Sequence, residues 1–519
     1  MRTRTVLAAL ALAGLTAGGA QAAPPRSAGI KDPDTKAWWQ IAEALSSDAM
    51  EGRDIGSPGY DRAADIVVAR FKAAGLKPAG DNGGWFQTFN VHESRVEAEG
   101  TWISTFPKGH DVGMPLFFLQ QVSVRATDAL PSDTAITAAM TFRGYCAPAD
   151  LADVKGKAVL CFNTKRAGLP SAGQRITAAE KAGAAVLIQI DDPYFTIEPP
   201  RWPAAYARTV TIAGSAPPAA PALPVLTISA TAFAEIAQDS GRDIDAVLKL
   251  GGAQKPLPSF DLPRSFGASF HVTHRDYTAK NVIAVLPGRD PVLKSQYLAL
   301  SAHLDGYGFG EPVNGDGLYN GALDDAAYVG TLIRFADKHR AKPLRRSIVF
   351  GVFTGEEKGL LGAHWFVDHP TVPKADIVAD LNLDQLRPLF PLELLTELAV
   401  NDTSLGTTAR AVGATIGIRI QPDPEPERSL LTRADHYPFM QAGIPGTGFI
   451  FGYTPGTEAE RRYREWYQVR YHRPQDDLTQ PMDFDAAGKF NRFFYKLAET
   501  VADADERPSW VAGSKLAPK

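Results

Sequence analysis

The chain is 519 residues long, with 45% hydrophobic and 22% charged residues and a net charge of −4. That length exceeds what one simple core organises and implies two domains, or one domain carrying an insert. The balance is that of an ordinary globular protein, and without a basic cluster it argues against nucleic acid or an anionic membrane as partner.

Residues 1–22 read as a cleaved secretory signal. Arg2 and Arg4 form a positive start, Val6 to Leu15 a short apolar run, and Ala20-Gln21-Ala22 a small-x-small cleavage site. The run is too short to cross a bilayer comfortably. No later segment is long and apolar enough for a transmembrane helix, and no cysteine follows the run for lipid attachment. The expected location is therefore periplasmic or secreted, without stable membrane insertion.

Residues from 23 to 36 read as a flexible lead-in. A helical pattern follows over 38–45, then a loop over 46–53. Ala63, Ile66, Val67, Phe71 and Ala74 recur at near-helical spacing and predict a helix over 60–74, ended by Gly75. The character changes over 121–265. Segments 158–162, 184–188 and 225–228 read as buried strands, 176–182 as a helix and 216–221 as a loop. Few histidines and no metal-type cluster fall here, so this stretch reads as a compact inserted domain. Cys146 and Cys161 are the only cysteines. In an oxidising compartment they either pair or stay as two buried thiols. Two cysteines cannot build a thiolate zinc site, so any metal must be held by histidine and carboxylate.

Further along, strands at 282–286, 297–302, 347–353 and 377–383 alternate with helices at 324–336 and after Glu357. This predicts an α/β fold with a mixed, mostly parallel central sheet flanked by helices. The main domain is then 23–120 with 266–505, around the insert, and 506–519 is a polar tail expected to fray.

Chemistry-bearing residues gather at the ends of those strands. His303 and Asp305, in Ser301-Ala302-His303-Leu304-Asp305-Gly306, close one strand. They point to one face at the carboxyl end, where open α/β sheets place ligands. An imidazole can bind zinc while a nearby carboxylate holds the ring. Asn320-Gly321-Ala322-Leu323-Asp324-Asp325 leads into a helix, where an aspartate could also serve as a cap. Glu356 and Glu357 follow an apolar strand. Adjacent carboxylates there repel unless a cation or proton compensates, and one could bind metal while the other acts as general base. Asp384 ends another strand, and His472 lies in a late loop. Each motif alone has a plain structural reading. Together, histidine and carboxylate at the ends of successive strands form a ligand set that zinc favours, and a shared carboxylate is how two-metal hydrolytic sites are built.

These residues and their order resemble the di-zinc aminopeptidases of the bacterial leucyl aminopeptidase and aminopeptidase Y type, relatives of the glutamate carboxypeptidases. Met50-Glu51-Gly52-Arg53 with Gly56-Ser57-Pro58-Gly59 looks like the family's opening motif, and Val154-Lys155-Gly156-Lys157-Ala158-Val159-Leu160 resembles the protease-associated domain, a mainly-β insert in several members. The resemblance implies two zinc ions, with His303 and Asp384 on one, Glu357 and His472 on the other, and Asp324 bridging. It implies Glu356 as general base and Asp305 as the residue that orients His303. His436, in Arg433-Ala434-Asp435-His436, receives at most a supporting role, because Ala434 stands where the family has serine. Asp325 and Ala327-Tyr328 depart from the family's usual Asn and Ser-Gly, which touches the local helix packing and the substrate pocket.

The implied activity is a zinc-dependent hydrolase that removes N-terminal residues from peptides. Two other activities are weighed within the same fold. A carboxypeptidase-type member would carry a helical dimerisation domain, for which the stretch beyond His472 is short. A one-zinc glutaminyl-cyclase-like enzyme would not need the full ligand set. The alternative from another class is an inactive peptidase fold acting as a binding or receptor protein, which loss of a ligand or of the base would signal. Neither is lost.

Overall fold

The computed structural model describes residues 26–214, 222–384 and 386–518, so the signal reading of 1–22 and the loop at 216–221 lie outside the described residues. The first helix, Pro33–Leu45, starts where Asp32 accepts from Thr35 N, with proline in the first turn, where its missing N–H costs nothing. The second, Pro58–Ala73, repeats the device with Ser57 and Pro58. The lead-in is not flexible from residue 26 onward. Ser27 donates through its backbone and its hydroxyl to the Glu43 carboxylate. Residues 46–53, expected as a loop, include a 3-10 turn over Asp48–Arg53.

One central sheet carries the main lobe. Strand Ile377–Asn382 lies parallel to Tyr297–His303, which lies parallel to Ser347–Phe353. Gly446–Thr447 extends one edge in parallel, and the end of Ser259–Leu286 closes the other side in antiparallel fashion. Register sets where these strands stop. His303 pairs with Phe353, and Ser301 pairs with both Gly351 and Asn382. Three parallel strands therefore end at one level, so the residues just beyond them emerge together. The core of this lobe holds Trp38, Leu300, Phe335, Phe350 and Phe490.

Two long strands, Phe86–Pro107 and Ser259–Leu286, pair antiparallel through most of their length. They carry the chain into and out of a second lobe. Ser259–Leu286 begins beside Ile136–Arg143 and ends in the central sheet, so a single strand joins both lobes. The second lobe has parallel strands Ile136–Arg143, Ala158–Asn163, Val186–Asp191 and Val225–Ile228. Helices Ala172–Lys181, Ala230–Ala237 and Ile244–Gly252 accompany them. Its separate core includes Phe142, Phe162, Ile188 and Phe233, and it draws Val96 and Val272 from the two long strands. Cys146 and Cys161 form a buried disulfide, which decides between the two alternatives.

Two further expectations are corrected. The predicted helix at 324–336 is a π turn over Ala322–Ala326 followed by an α-helix over Ala327–His339, with the Asp324–Asp325 peptide in cis. Asp324 thus precedes the α-helix. The tail does not fray: Ser404 N donates to Ser509 O at 2.8 Å, Val511 N to Asp402 O at 2.8 Å, and Trp510 Nε1 to Gly443 O at 3.0 Å.

Candidate active site

The level strand ends present His303 directly, Glu356 and Glu357 after a turn at Gly355, and Asp384 just past Asn382. Asp324 arrives from the π turn and His472 from a late loop, where its backbone adopts φ 54°, a conformation costly for a non-glycine residue. All these side chains meet in one place. His303 Nε2 lies 3.3 Å from Asp324 Oδ1 and 3.9 Å from Asp384 Oδ1. His472 Nε2 lies 3.4 Å from Asp324 Oδ2 and 3.2 Å from Glu357 Oε2. The two oxygens of Asp324 are thereby divided between two imidazoles. Glu356 Oε2 stands 3.9 Å from His303 Nε2.

The arrangement fits a pair of metal ions. His303 Nδ1 is 3.0 Å from the carbonyl oxygen of Asp305. A carbonyl only accepts, so Nδ1 carries the proton and the Nε2 lone pair faces Asp324 and Asp384. That buried Nε2 has no hydrogen-bond partner, and neither does Asp324 Oδ2. An orphaned acceptor beside buried carboxylates is costly unless a cation sits among them. His303, Asp324 and Asp384 form one metal-type group, and Asp324, Glu357 and His472 form a second that shares Asp324.

Electrostatics shows the same excess of negative charge. Burial pushes the Glu356 carboxyl well up, and Asp384 and Glu357 push it further, against the pull of His303. Burial and neighbouring Asp324 raise Asp384 to about 6. Burial would lower the His303 imidazole, but Glu356, Asp324, Asp325 and Asp305 together draw it well above its ordinary value. Burial would raise Asp324, yet the neighbouring imidazoles of His303 and His472 and the Arg387 guanidinium hold it well below the usual carboxylate range.

Asp305 meets the His303 ring by another atom than its carboxylate. Its carbonyl oxygen, not its carboxylate, meets His303 Nδ1; Oδ1 is 3.7 Å from that nitrogen. The carboxylate instead accepts from Glu356 N at 3.1 Å and Glu357 N at 3.4 Å, and so holds the Glu356–Glu357 turn. Two residues apart on a continuing strand would have given a side-chain contact, but the strand ends at His303. His436 is fully buried, and burial lowers its imidazole to about 4. Asp325 accepts from His303 N at 3.2 Å through Oδ2.

Four supporting residues escaped the sequence reading. Asp476 accepts from Leu323 N and Asp324 N, both at 3.0 Å, and fixes the turn that carries Asp324. Arg53 is fully buried and donates to the carbonyls of Leu304, Asn320 and Gly321, which ties the opening motif to the His303 and Asp324 segments. Arg387 places a guanidinium nitrogen 3.8 Å from Asp324 Oδ2 and stacks 4.0 Å from the Trp466 ring centroid. Tyr307 Oη lies 2.7 Å from His472 Nδ1, the nitrogen that points away from the carboxylates. Asp476, Tyr307 and Arg387 stand within four residues of His472, Asp305 and Asp384, but all four act on partners far away in the chain.

A cavity of about 300 Å³ opens beside Tyr307, His472 and Arg473, and its far wall comes from the second lobe, including Asp191, Glu198 and Arg201. Glu198 is gripped by Arg433 Nη1 at 2.8 and 2.9 Å. Burial alone would raise this carboxyl, but Arg433, Lys165 and Arg201 bring it down to about 2.

Residues 281–498 match the model of Peptidase family M28. The chain is 28% identical over 225 residues to leupeptin-inactivating enzyme 1 of Streptomyces exfoliatus, covering 41% of this chain and 47% of that protein. It is 26% identical to aminopeptidase YwaD of Bacillus subtilis (strain 168), covering 39% of this chain and 40% of that protein. The chain spans about half the length of the curated relatives it matches. Its fold is shared with an aminopeptidase from Aneurinibacillus sp. strain AM-1, at TM-score 0.61 and 17% identity over 91% of this chain and 95% of that one. It is also shared with the zinc aminopeptidase BSAP of Bacillus subtilis, at TM-score 0.60 and 17% identity over 93% and 97%. The family resemblance and the α/β class read from the sequence are both borne out.

Proposed function

Taking the Peptidase family M28 match over residues 281–498 as premise, we propose that this protein is a di-zinc aminopeptidase that hydrolyses N-terminal residues from peptides. The observation that carries the reading is the division of Asp324 between His303 and His472, with the buried His303 Nε2 left unpartnered. His303 and Asp384 would hold one zinc, Glu357 and His472 the other, and Asp324 both. When bound, the pair would polarise the scissile carbonyl and lower the pKa of an attacking water.

The chain supplies the proton transfers and the geometry. Glu356 stands beside the ligand cluster without being one of the five ligands, its Oε2 3.9 Å from His303 Nε2, which suits a general base. It would accept a proton from water as the water oxygen bonds to the carbonyl carbon. It would then return that proton to the amine nitrogen as the C–N bond breaks. Asp305 would act as a positioning residue: it fixes the Glu356 backbone through its carboxylate and the His303 ring through its carbonyl.

We read 121–265 as a protease-associated insert in a catalytic domain of 23–120 and 266–505, with 506–519 as its docked tail. We further read the protein as exported. The reading is supported by the Cys146–Cys161 disulfide, of the kind kept in oxidising compartments. Among the described residues no helix is long and apolar enough to cross a membrane.

The direct test is hydrolysis of leucine p-nitroanilide and of peptides with free or acetylated N-termini. The expected result is release of N-terminal residues from free peptides only, with activity lost to chelator and restored by zinc. Cleavage from the C-terminus, or no turnover by zinc-replete protein, would overturn the reading.

A further inference from the structure

A second grouping of histidine and carboxylate lies away from the cleft, where the two long strands pass the second lobe. His92 sits on Phe86–Pro107 and His274 on Ser259–Leu286, in a ladder that pairs His274 with Ser94 and Asp276 with His92. Their rings stack, with centroids 5.7 Å apart. Asp128 reaches in from the second lobe, on a turn held between buried Ala126 and Leu130. One nitrogen of each imidazole and one oxygen of Asp128 lie within 4.8 Å of one another.

We propose that His92, His274 and Asp128 form a separate surface site for a divalent transition cation, with Zn2+ as the fitting ion. Three arguments carry it. The donors are two imidazoles and a carboxylate, the set zinc takes when water completes its coordination. The support is also present. Asp276 Oδ1 lies 2.6 Å from His92 Nδ1, which directs His92 Nε2 to Asp128 Oδ1 at 3.0 Å. A carboxylate behind a histidine ligand is the usual way its tautomer and orientation are fixed. Ser94 Oγ contacts both His274 Nδ1, at 3.2 Å, and Asp128, and so brings them to one place. Finally, with neutral imidazoles the group carries the charges of Asp128 and Asp276 alone, which a divalent ion balances. His92 and His274 are 29% and 43% exposed, so an ion reaches them from solvent. Because Asp128 belongs to the second lobe and the histidines to the connecting strands, an ion here would clamp the 125–130 turn onto those strands.

The test uses the full-length mature chain, stripped of metal, re-equilibrated with Zn2+ at low micromolar concentration near pH 7.5 and desalted. Bound zinc is counted by elemental analysis for wild type and for His92→Ala/His274→Ala. The expected result is one zinc fewer per chain in the variant, with turnover unchanged. Asp128→Asn, which removes a ligand oxygen with almost no change of shape, serves if the double variant folds poorly, and should weaken this zinc at least tenfold. Equal counts in wild type and either folded variant would overturn the site, as would a wild-type increment that appears only at millimolar zinc. The count is a difference between variants, so it stands or falls independently of the peptidase reading, whose failure would show in turnover.

Discussion

The cluster at the sheet end and the cluster on the long strands use the same donors, imidazole and carboxylate, in opposite settings. Around Asp324 most of the ligand candidates are shielded: His303, Asp324 and Asp384 are almost fully buried, and the His472 side chain is 16% exposed. Their surplus negative charge has no water to spread into. Around Asp128 the side chains stand in solvent, with Asp128 itself 65% exposed. In the first setting unbalanced carboxylates cost several kcal/mol each, so an ion is demanded by the fold and can be put to chemical use. In the second, water already solvates the charges, so an ion adds a clamp and nothing in the fold depends on it. Burial, more than the ligand list, separates a catalytic centre from a surface binding site.

The largest effect that would break this contrast is expected at Asp324. Asp324→Asn removes the charge shared between the two halves of the buried cluster. Elemental analysis should find both buried zinc ions lost and turnover reduced to background, while the surface zinc stays. A variant that kept both ions would show that Asp324 is not the bridge. Next comes Glu356→Gln. It leaves all five ligand side chains in place, so zinc content should be unchanged while kcat falls by about 10²- to 10⁴-fold, the usual contribution of a general base. Near-normal kcat in zinc-replete Glu356→Gln would give the proton transfer to another group.

How much of the molecule is legible in its sequence depends on the range of the forces involved. The strands that end at His303, Phe353 and Asn382 are short apolar runs whose identity is local, and His303, Glu356, Glu357 and Asp384 lie together because those runs end in register, while Asp324 and His472 are brought to them by the π turn and a late loop. Beyond 282–286, the long strands are not legible. Phe86–Pro107 and Ser259–Leu286 carry many charged and polar residues, and their partners are each other, more than 150 residues apart at every rung. Arg53 is visible only as part of a motif, since its work is done on carbonyls of Leu304 and Asn320, 251 and 267 positions away. Asp305 meets the His303 ring through its carbonyl and not its carboxylate for a local reason: side-chain alternation does not extend a residue pair beyond the end of the strand. The tail looks frayed because its composition is polar, but Trp510 finds its acceptor on Gly443.

The smallest expected effect tests the comparison most closely, because both clusters prop a histidine from behind. His472 Nδ1 rests on the Tyr307 hydroxyl at 2.7 Å, and His92 Nδ1 on the Asp276 carboxylate at 2.6 Å. The Tyr307 ring also packs at a tilt against His472 and lies under the Lys358 ammonium, which further contacts Tyr206 of the second lobe and Asp54. Tyr307→Phe keeps the ring, its packing against His472 and the cation contact and deletes only the hydroxyl. Loss of such an outer partner lowers metal affinity or activity by about 10- to 100-fold. The expected outcome is weaker binding of one zinc of the buried pair in competition with a chelator, a matching fall in activity at limiting zinc, and recovery at excess zinc. The surface zinc should not change. A fall in kcat that excess zinc does not restore would mean that the hydroxyl meets the substrate, which the adjoining cavity permits, and the parallel between the two histidines would end there.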